Sequence, residues 1–234
     1  MVAFFALGRL GYVVLTLSLR IPPVAIISLL KQTDCNIIAG GDGQKISDAI
    51  AAVNEERPVQ KVVLPTRAQY ERVRPSDESP FVRHFDRETE TDKIAVIMHS
   101  SGSTGLPKSV ALSHRNILTH PVQGAGMNNF GALPLYHIYG LSTTLQAMYM
   151  RKIANLFSAS LPMTGENLVT AIEVTQPEIF HAVPYALGLL LEHERGMACL
   201  KTTKAVTAAG ARTPDELGNR LIQENINFGV VFGW

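Results

Sequence analysis

The sequence predicts an α/β fold of layered, mostly parallel β-sheets flanked by helices. Three observations predict it. Short apolar runs alternate with helix-period segments along most of the chain, the pattern of βαβ units. Apolar residues are 46% of 234, enough for a sizeable core in one large domain or two small ones. Several helical segments open on Ser, Thr or Pro, residues suited to helix starts.

The first thirty residues are strongly apolar, but Arg9 and Arg20 cut them into runs of eight, ten and ten uncharged residues, and Pro22 and Pro23 interrupt them again. A spanning helix needs about 20 uninterrupted apolar residues. The segment therefore reads as a buried helix, a strand "YVVLTLSL" and a second helix "PPVAIISLLKQT" opened by the proline pair. "CNIIAG" follows as strand, "ISDAIAAVNEER" as helix and "QKVVLP" as strand, completing a first βα region over 1–65. Residues 66–93 break the alternation. They hold 13 of the 41 charged side chains and six apolar residues, and read as a solvated connection.

Alternation resumes over 94–234. "KIAVIM" is strand, and "SHRNIL" begins a helix with Ser113 as N-cap. "GALPLYH" is strand, "GLSTTLQAMYM" helix and "IANLFSA" strand. "TGENLVTAIEVTQ" is a helix capped by Thr164 and stopped by Pro177. "EIFHAV", "KAVTAA" and "NFGVVFGW" are strands, separated by the helices "PYALGLLLEHE" and "TPDELGNRLIQEN". Thr213 is the expected cap of the last helix, with Pro214 at its first position and Glu216 completing a capping box. The chain opens directly in an apolar helix pattern and stops at Trp234 on an apolar strand, so an incomplete domain is expected.

Net charge is +1, from 21 basic and 20 acidic residues, which argues against a nucleic-acid partner bound through bulk charge. Cys35 and Cys199 are the two cysteines, far apart, with no disulfide framework or zinc spacing. A reducing, cytoplasmic location fits them, and no metal-type spacing links His114, His120, His137 and His181.

The stretch "HSSGSTGLPKSV" has the composition of a phosphate cradle. Glycines let the backbone approach an anion, hydroxyls add donors and a lysine adds charge. It is not a Walker A loop, because Pro107 stands where the second glycine belongs and the strand-like "VALS" follows. No G-x-S-x-G elbow makes Ser101 or Ser103 a hydrolase nucleophile. On composition alone a mobile surface loop remains open.

The same loop resembles the signature of the adenylate-forming (AMP-binding) superfamily, (S/T)SG(S/T)TG-x-PKG. Ser101, Gly102, Ser103, Thr104, Gly105, Pro107 and Lys108 match, and Ser109 stands where the family usually has glycine. Three more stretches follow in the family's order. "LPLYHIYGL" resembles its acyl-pocket motif with a histidine, and "TAAGARTPDEL" its adenine loop. "FGW" resembles the opening of its aromatic-Gly-x-Thr-Glu motif, whose Thr and Glu would follow Trp234. Residues 6–40 also look like the family's earlier helix-strand-helix-strand region. The tone of the motifs is closest to peptide-synthetase-like carboxylic acid reductases and acyl-CoA ligases.

The resemblance implies the N-terminal part of a domain that activates a carboxylic acid with ATP and Mg²⁺ to an acyl-adenylate, then passes the acyl group to a thiol of CoA or phosphopantetheine. It implies phosphate binding by Ser101, Gly102, Ser103, Thr104, Gly105 and Lys108. It assigns adenine binding to Ala209, Gly210, Ala211, Phe232, Gly233 and Trp234, and the acyl-pocket catalytic role to His137. The family's adenylation lysine lies on a C-terminal subdomain expected to be absent. A catalytically dead nucleotide-binding fragment and a membrane-anchored protein are the alternatives.

Overall fold

A computed structural model describes residues 1–18, 20–71, 81–100, 105–119 and 121–232. The chain divides into two compact units, Met1–Arg115 and Asn116–Trp234.

The first unit opens with helix α1 (Val2–Arg9), strand β1 (Val14–Leu15), α2 (Pro23–Gln32), β2 (Ile37–Gly40), α3 (Gln44–Asn54) and β3 (Gln60–Val63). Strands β2 and β3 pair in parallel, as expected for a βαβ unit, with Ile38 opposite Lys61. Its small core packs Ile26, Ile27 and Leu30 of α2 on Val53 of α3, with Leu15, Ile21 and Ile38 around them. Pro23 begins α2 at a position where its missing N–H costs nothing.

Two expectations for the N-terminus are corrected. Helix α1 has no buried residue, and Val2, Phe5 and Leu10 are exposed. The strand expected over "YVVLTLSL" shrinks to two residues, because only Val14 and Leu15 find ladder partners, at Val96 and Ile97.

Short helices α4 (Arg67–Glu71) and α5 (Arg87–Asp92) lie in the charged stretch. Asp86 caps α5 by accepting from Glu88 N. Glu90 turns inward and meets Arg83 at 2.5 Å and Lys93 at 2.9 Å. The Lys93 hydrogen bond first, then Arg83, lowers its pKa against the opposing effect of burial. Strand β4 (Ile94–His99) then pairs with β1 in parallel and with β5 (Ser109–Ser113) antiparallel, in the order β1-β4-β5. The chain runs on through α6 (His114–Thr119), which starts directly after Ser113.

The second unit holds a five-stranded, wholly parallel sheet in the order β10-β9-β8-β6-β7. Its elements are β6 (Asn129–Gly131), α7 (Ile138–Tyr149), β7 (Ala154–Leu156), α8 (Gly165–Thr175), β8 (Ile179–Ala182), α9 (Pro184–Glu192), α10 (Gly196–Lys201), β9 (Ala205–Ala208), α11 (Asp215–Gln223) and β10 (Phe228–Val230). A 3₁₀ turn at Pro121–Gln123 precedes them. Phe130 and Phe180 stack across neighbouring strands, with ring centroids 5.5 Å apart, inside a core that includes Leu168, Ile172, Leu187, Leu190 and Leu200. Near-continuous apolar strands such as β8, buried at all four positions, follow from a sheet covered on both faces.

Two expectations change here and one holds. The strand expected over "GALPLYH" is Asn129–Gly131, and residues 132–137 form a turn. Pro134 cannot donate to a ladder, and its carbonyl instead accepts from His137 N at 3.1 Å. Thr164 does cap α8, accepting from Asn167 N at 3.2 Å. Thr213 does not cap α11: Pro214 holds that position, and the buried Thr213 hydroxyl has no hydrogen-bond partner among the described residues.

Candidate functional site

In the first unit the site residues sit on the β4–β5 hairpin. Its neck is closed by two hydrogen bonds: Ser100 N donates to Lys108 O at 3.0 Å, and Lys108 N donates to Ser100 Oγ at 2.9 Å. Ser100 thus acts on the loop through both backbone and side chain, which the sequence reading did not assign. Pro107 is buried, whereas Gly105 and the Lys108 side chain are exposed. Ser109 occupies ordinary strand backbone opposite His99, so a Cβ there costs no conformational strain. The expectations for Ser101, Gly102, Ser103 and Thr104 fall outside the described residues.

In the second unit the candidate residues follow the carboxyl ends of parallel strands. In an open parallel sheet, ligands bind there, where neighbouring strands send their connections in opposite directions. Strand β6 lies between β7 and β8, so its connection runs to one side while that of β8 runs toward β9 on the other. His137 stands in the segment after β6, at the N-cap of α7, exposed, its ring 4.8 Å from that of Tyr136. Ala209, Gly210 and Ala211 directly follow β9. Gly210 adopts φ +86°, a backbone that side chains other than hydrogen disfavour. Phe232 lies just beyond β10 and is 82% exposed; Gly233 and Trp234 fall outside the described residues.

The turn carrying His137 is tight. A Cβ on Gly140 would lie 2.3 Å from Pro134 O, so the first turn of α7 folds back on the Pro134 backbone only with glycine there.

Beside these positions lies a polar group that the sequence did not reveal. Thr207 Oγ1 is 2.6 Å from His181 Nδ1 and 2.5 Å from the Tyr139 hydroxyl. The Tyr139 and His181 rings meet edge-on at 5.9 Å. Burial pushes the His181 pKa down to about 4, so the imidazole is neutral at pH 7. Burial pushes the Tyr139 pKa up to about 12, against the opposing hydrogen bond from Thr207. A neutral His, a Thr and a neutral Tyr form a hydrogen-bonded chain at the ends of β8 and β9 and the start of α7, at 26 and 68 residues' separation in sequence.

A cleft of about 370 Å³ lies elsewhere, lined by Ile172, Glu173, Gln176, Cys199 and Thr202, and none of the motif residues lines it. Burial and the neighbouring Glu173 raise the pKa of the Cys199 thiol, which disfavours the reactive thiolate. Among the described residues no three His, Cys, Asp or Glu side chains are grouped to hold a metal, and no helix is long and apolar enough to cross a membrane.

The second unit is thus a parallel α/β sheet with these segments following the carboxyl ends of its strands. Comparison with known proteins names the family: the AMP-binding enzyme model matches residues 1–234, and the chain belongs to that family. It is 28% identical over 98% of its length to the non-canonical non-ribosomal peptide synthetase ascB of Acremonium egyptiacum, and 29% identical over 98% to the adenylate-forming reductase stbB of Stachybotrys bisbyi. It spans 22% of each of those relatives. Among solved structures it is similar to the anthranilate CoA ligase AuaEII in complex with anthranoyl-AMP, with a TM-score of 0.78 at 17% identity over 98% of this chain and 46% of that one. The O-succinylbenzoate CoA synthetase MenE of Bacillus subtilis, in complex with ATP and a magnesium ion, superposes with a TM-score of 0.71 at 18% identity, over 97% of this chain and 45% of that one.

Proposed function

We propose that the chain binds ATP and activates a carboxylic acid as an acyl-adenylate. The observation that carries this reading is the closed β4–β5 hairpin with Lys108 at its exit, in a member of the AMP-binding enzyme family. In this reading Ser101, Gly102, Ser103, Thr104 and Gly105 donate hydrogen bonds to the β- and γ-phosphates, and the Lys108 ammonium offsets their charge. Ala209, Gly210 and Ala211 lie along adenine with Phe232, Gly233 and Trp234, and His137 borders the acyl group. A carboxylate oxygen attacks the α-phosphorus, the bond to the bridging oxygen breaks, and pyrophosphate leaves with that electron pair. The barrier is mainly electrostatic, so fixed donors near the phosphates lower it. Mg²⁺ would accompany ATP and offset the charge of its phosphates. CoA or a phosphopantetheine thiol then takes the acyl group.

Nucleotide binding without turnover is the second reading. One experiment separates the readings. MgATP binding is measured by calorimetry, and carboxylate-dependent ATP–pyrophosphate exchange is measured on the same preparation. Exchange above background with any carboxylate of a panel supports adenylation. Binding without exchange supports the second reading, and absence of MgATP binding refutes both.

A further inference from the structure

Strand β5 is the outer strand of the β1-β4-β5 sheet, so one side of its backbone faces away from β4. Edge strands leave such N–H and C=O groups to find other partners. At the loop exit one side chain supplies both. Gln32, the last residue of α2, donates from Nε2 to Pro107 O at 3.1 Å and accepts at Oε1 from Ser109 N at 2.9 Å. Its Nε2 is further placed by Ser28 Oγ at 3.2 Å, one helical turn back. A single primary amide therefore acts as a short strand segment along the outer edge of β5, 75 and 77 residues away in sequence.

The consequence falls on Lys108. Its own N–H and C=O are held by Ser100 on the β4 side, and the residues on either side of it are held by Gln32. Gln32 is itself exposed, so water competes for its amide and the net gain in stability is small. What the contact supplies is position: the backbone that launches the Lys108 side chain is fixed on both edges. Pro107 has no N–H, so its carbonyl is the only main-chain polar group it offers there.

We propose that Gln32 is a positioning residue for Lys108, holding the exit of the loop in strand geometry so that the ammonium is presented to a triphosphate. This inference rests on the reading of the loop as a triphosphate cradle.

The test uses the full chain, with tripolyphosphate and MgATP as probes, in wild type, Gln32→Met, Lys108→Gln and the double variant. Met keeps the length of Gln and removes both hydrogen bonds. We expect each single variant to lose about tenfold in tripolyphosphate affinity, the scale of one charge-assisted contact. The double variant should bind no more weakly than Lys108→Gln, because residues acting through one another are not additive. A merely structural role would not produce that non-additivity. Gln32→Glu, which keeps the acceptor for Ser109 N and loses the donor to Pro107 O, guards against a folding failure of Gln32→Met and should also weaken binding. Amide exchange at Ser109 should quicken in Gln32→Met. The proposal is overturned if Gln32→Met binds like wild type, if the two losses multiply in the double variant, or if Ser109 exchange is unchanged. Failure of wild type to bind tripolyphosphate or MgATP refutes the cradle itself. An effect of Lys108→Gln without one of Gln32→Met refutes only the positioning role.

Discussion

The buried His181 makes the sharpest prediction about pH. It is 7% exposed and bonded to Thr207, and burial holds its pKa near 4 against an ordinary 6.5. Above pH 6.5 the ring is neutral in both folded and unfolded chains, and it adds no pH dependence. Between 6.5 and 4 the unfolded chain binds a proton that the folded chain does not. Stability therefore falls as pH falls through that window, by about 1.4 kcal/mol per pH unit. From pH 6.5 to 5 the expected loss is about 2 kcal/mol. Carboxylates also titrate here, so the quantity to read is the difference between wild type and His181→Gln, whose amide can still bond Thr207 but cannot charge. Urea unfolding at pH 7, 6 and 5 gives the two stability profiles. The variant should start lower at pH 7, through imperfect packing, and converge on wild type as pH falls. Parallel profiles, or an imidazole resonance of His181 titrating near 6.5, would refute the account.

Other predictions follow from the same geometry. Tyr139, with its pKa pushed to about 12, predicts the opposite edge: relative to Tyr139→Phe, wild type should lose stability as pH rises from about 10 to 12, read by urea unfolding in alkaline buffers. Gly140→Ala places a Cβ 2.3 Å from Pro134 O, so it should cost at least about 1–3 kcal/mol by thermal or urea unfolding; a neutral result would mean the turn carrying His137 is not packed as described. Thr213→Val removes a buried hydroxyl that has no partner among the described residues, so it should be neutral or stabilising by about 1 kcal/mol; a loss of stability would show that the hydroxyl is satisfied after all. Thr164→Ala removes a formed N-cap on α8 and should cost about 1 kcal/mol in the same assay.

The alternation of strands and helices was legible because it is local. Helix α8, with Thr164 before it and Pro177 after it, is signalled entirely by neighbours in sequence. Strands β8 and β9 announce themselves as short apolar runs bounded by turn chemistry. The strand expected through "GALPLYH" was misread because apolar content says nothing of ladder partners, and Pro134 has no N–H to give. The expected cap at Thr213 failed by one residue: Pro214 holds the N-cap, and the Thr213 hydroxyl, though correctly spaced in sequence, is buried with no partner among the described residues. Helix α1 has a core-like composition, yet none of its residues is buried, since composition does not say what an apolar face packs against. The Walker A reading failed on Pro107 and the following strand, and that strand is β5.

By itself the sequence determined the α/β class, the order of most elements and the residues whose pattern resembles an adenylating loop. These depend on hydrophobic period, turn residues and motif spacing, all of which lie within a few positions of one another. Only the tertiary structure decided that Gln32 grips both sides of the loop exit, and that Tyr139, Thr207 and His181 share one hydrogen-bonded chain with shifted pKa values. An exposed glutamine at the end of a helix, or a histidine in an apolar strand, carries no local mark of its partner. Which atoms meet across such separations is set by strand register and helix packing, and burial then sets the charge state.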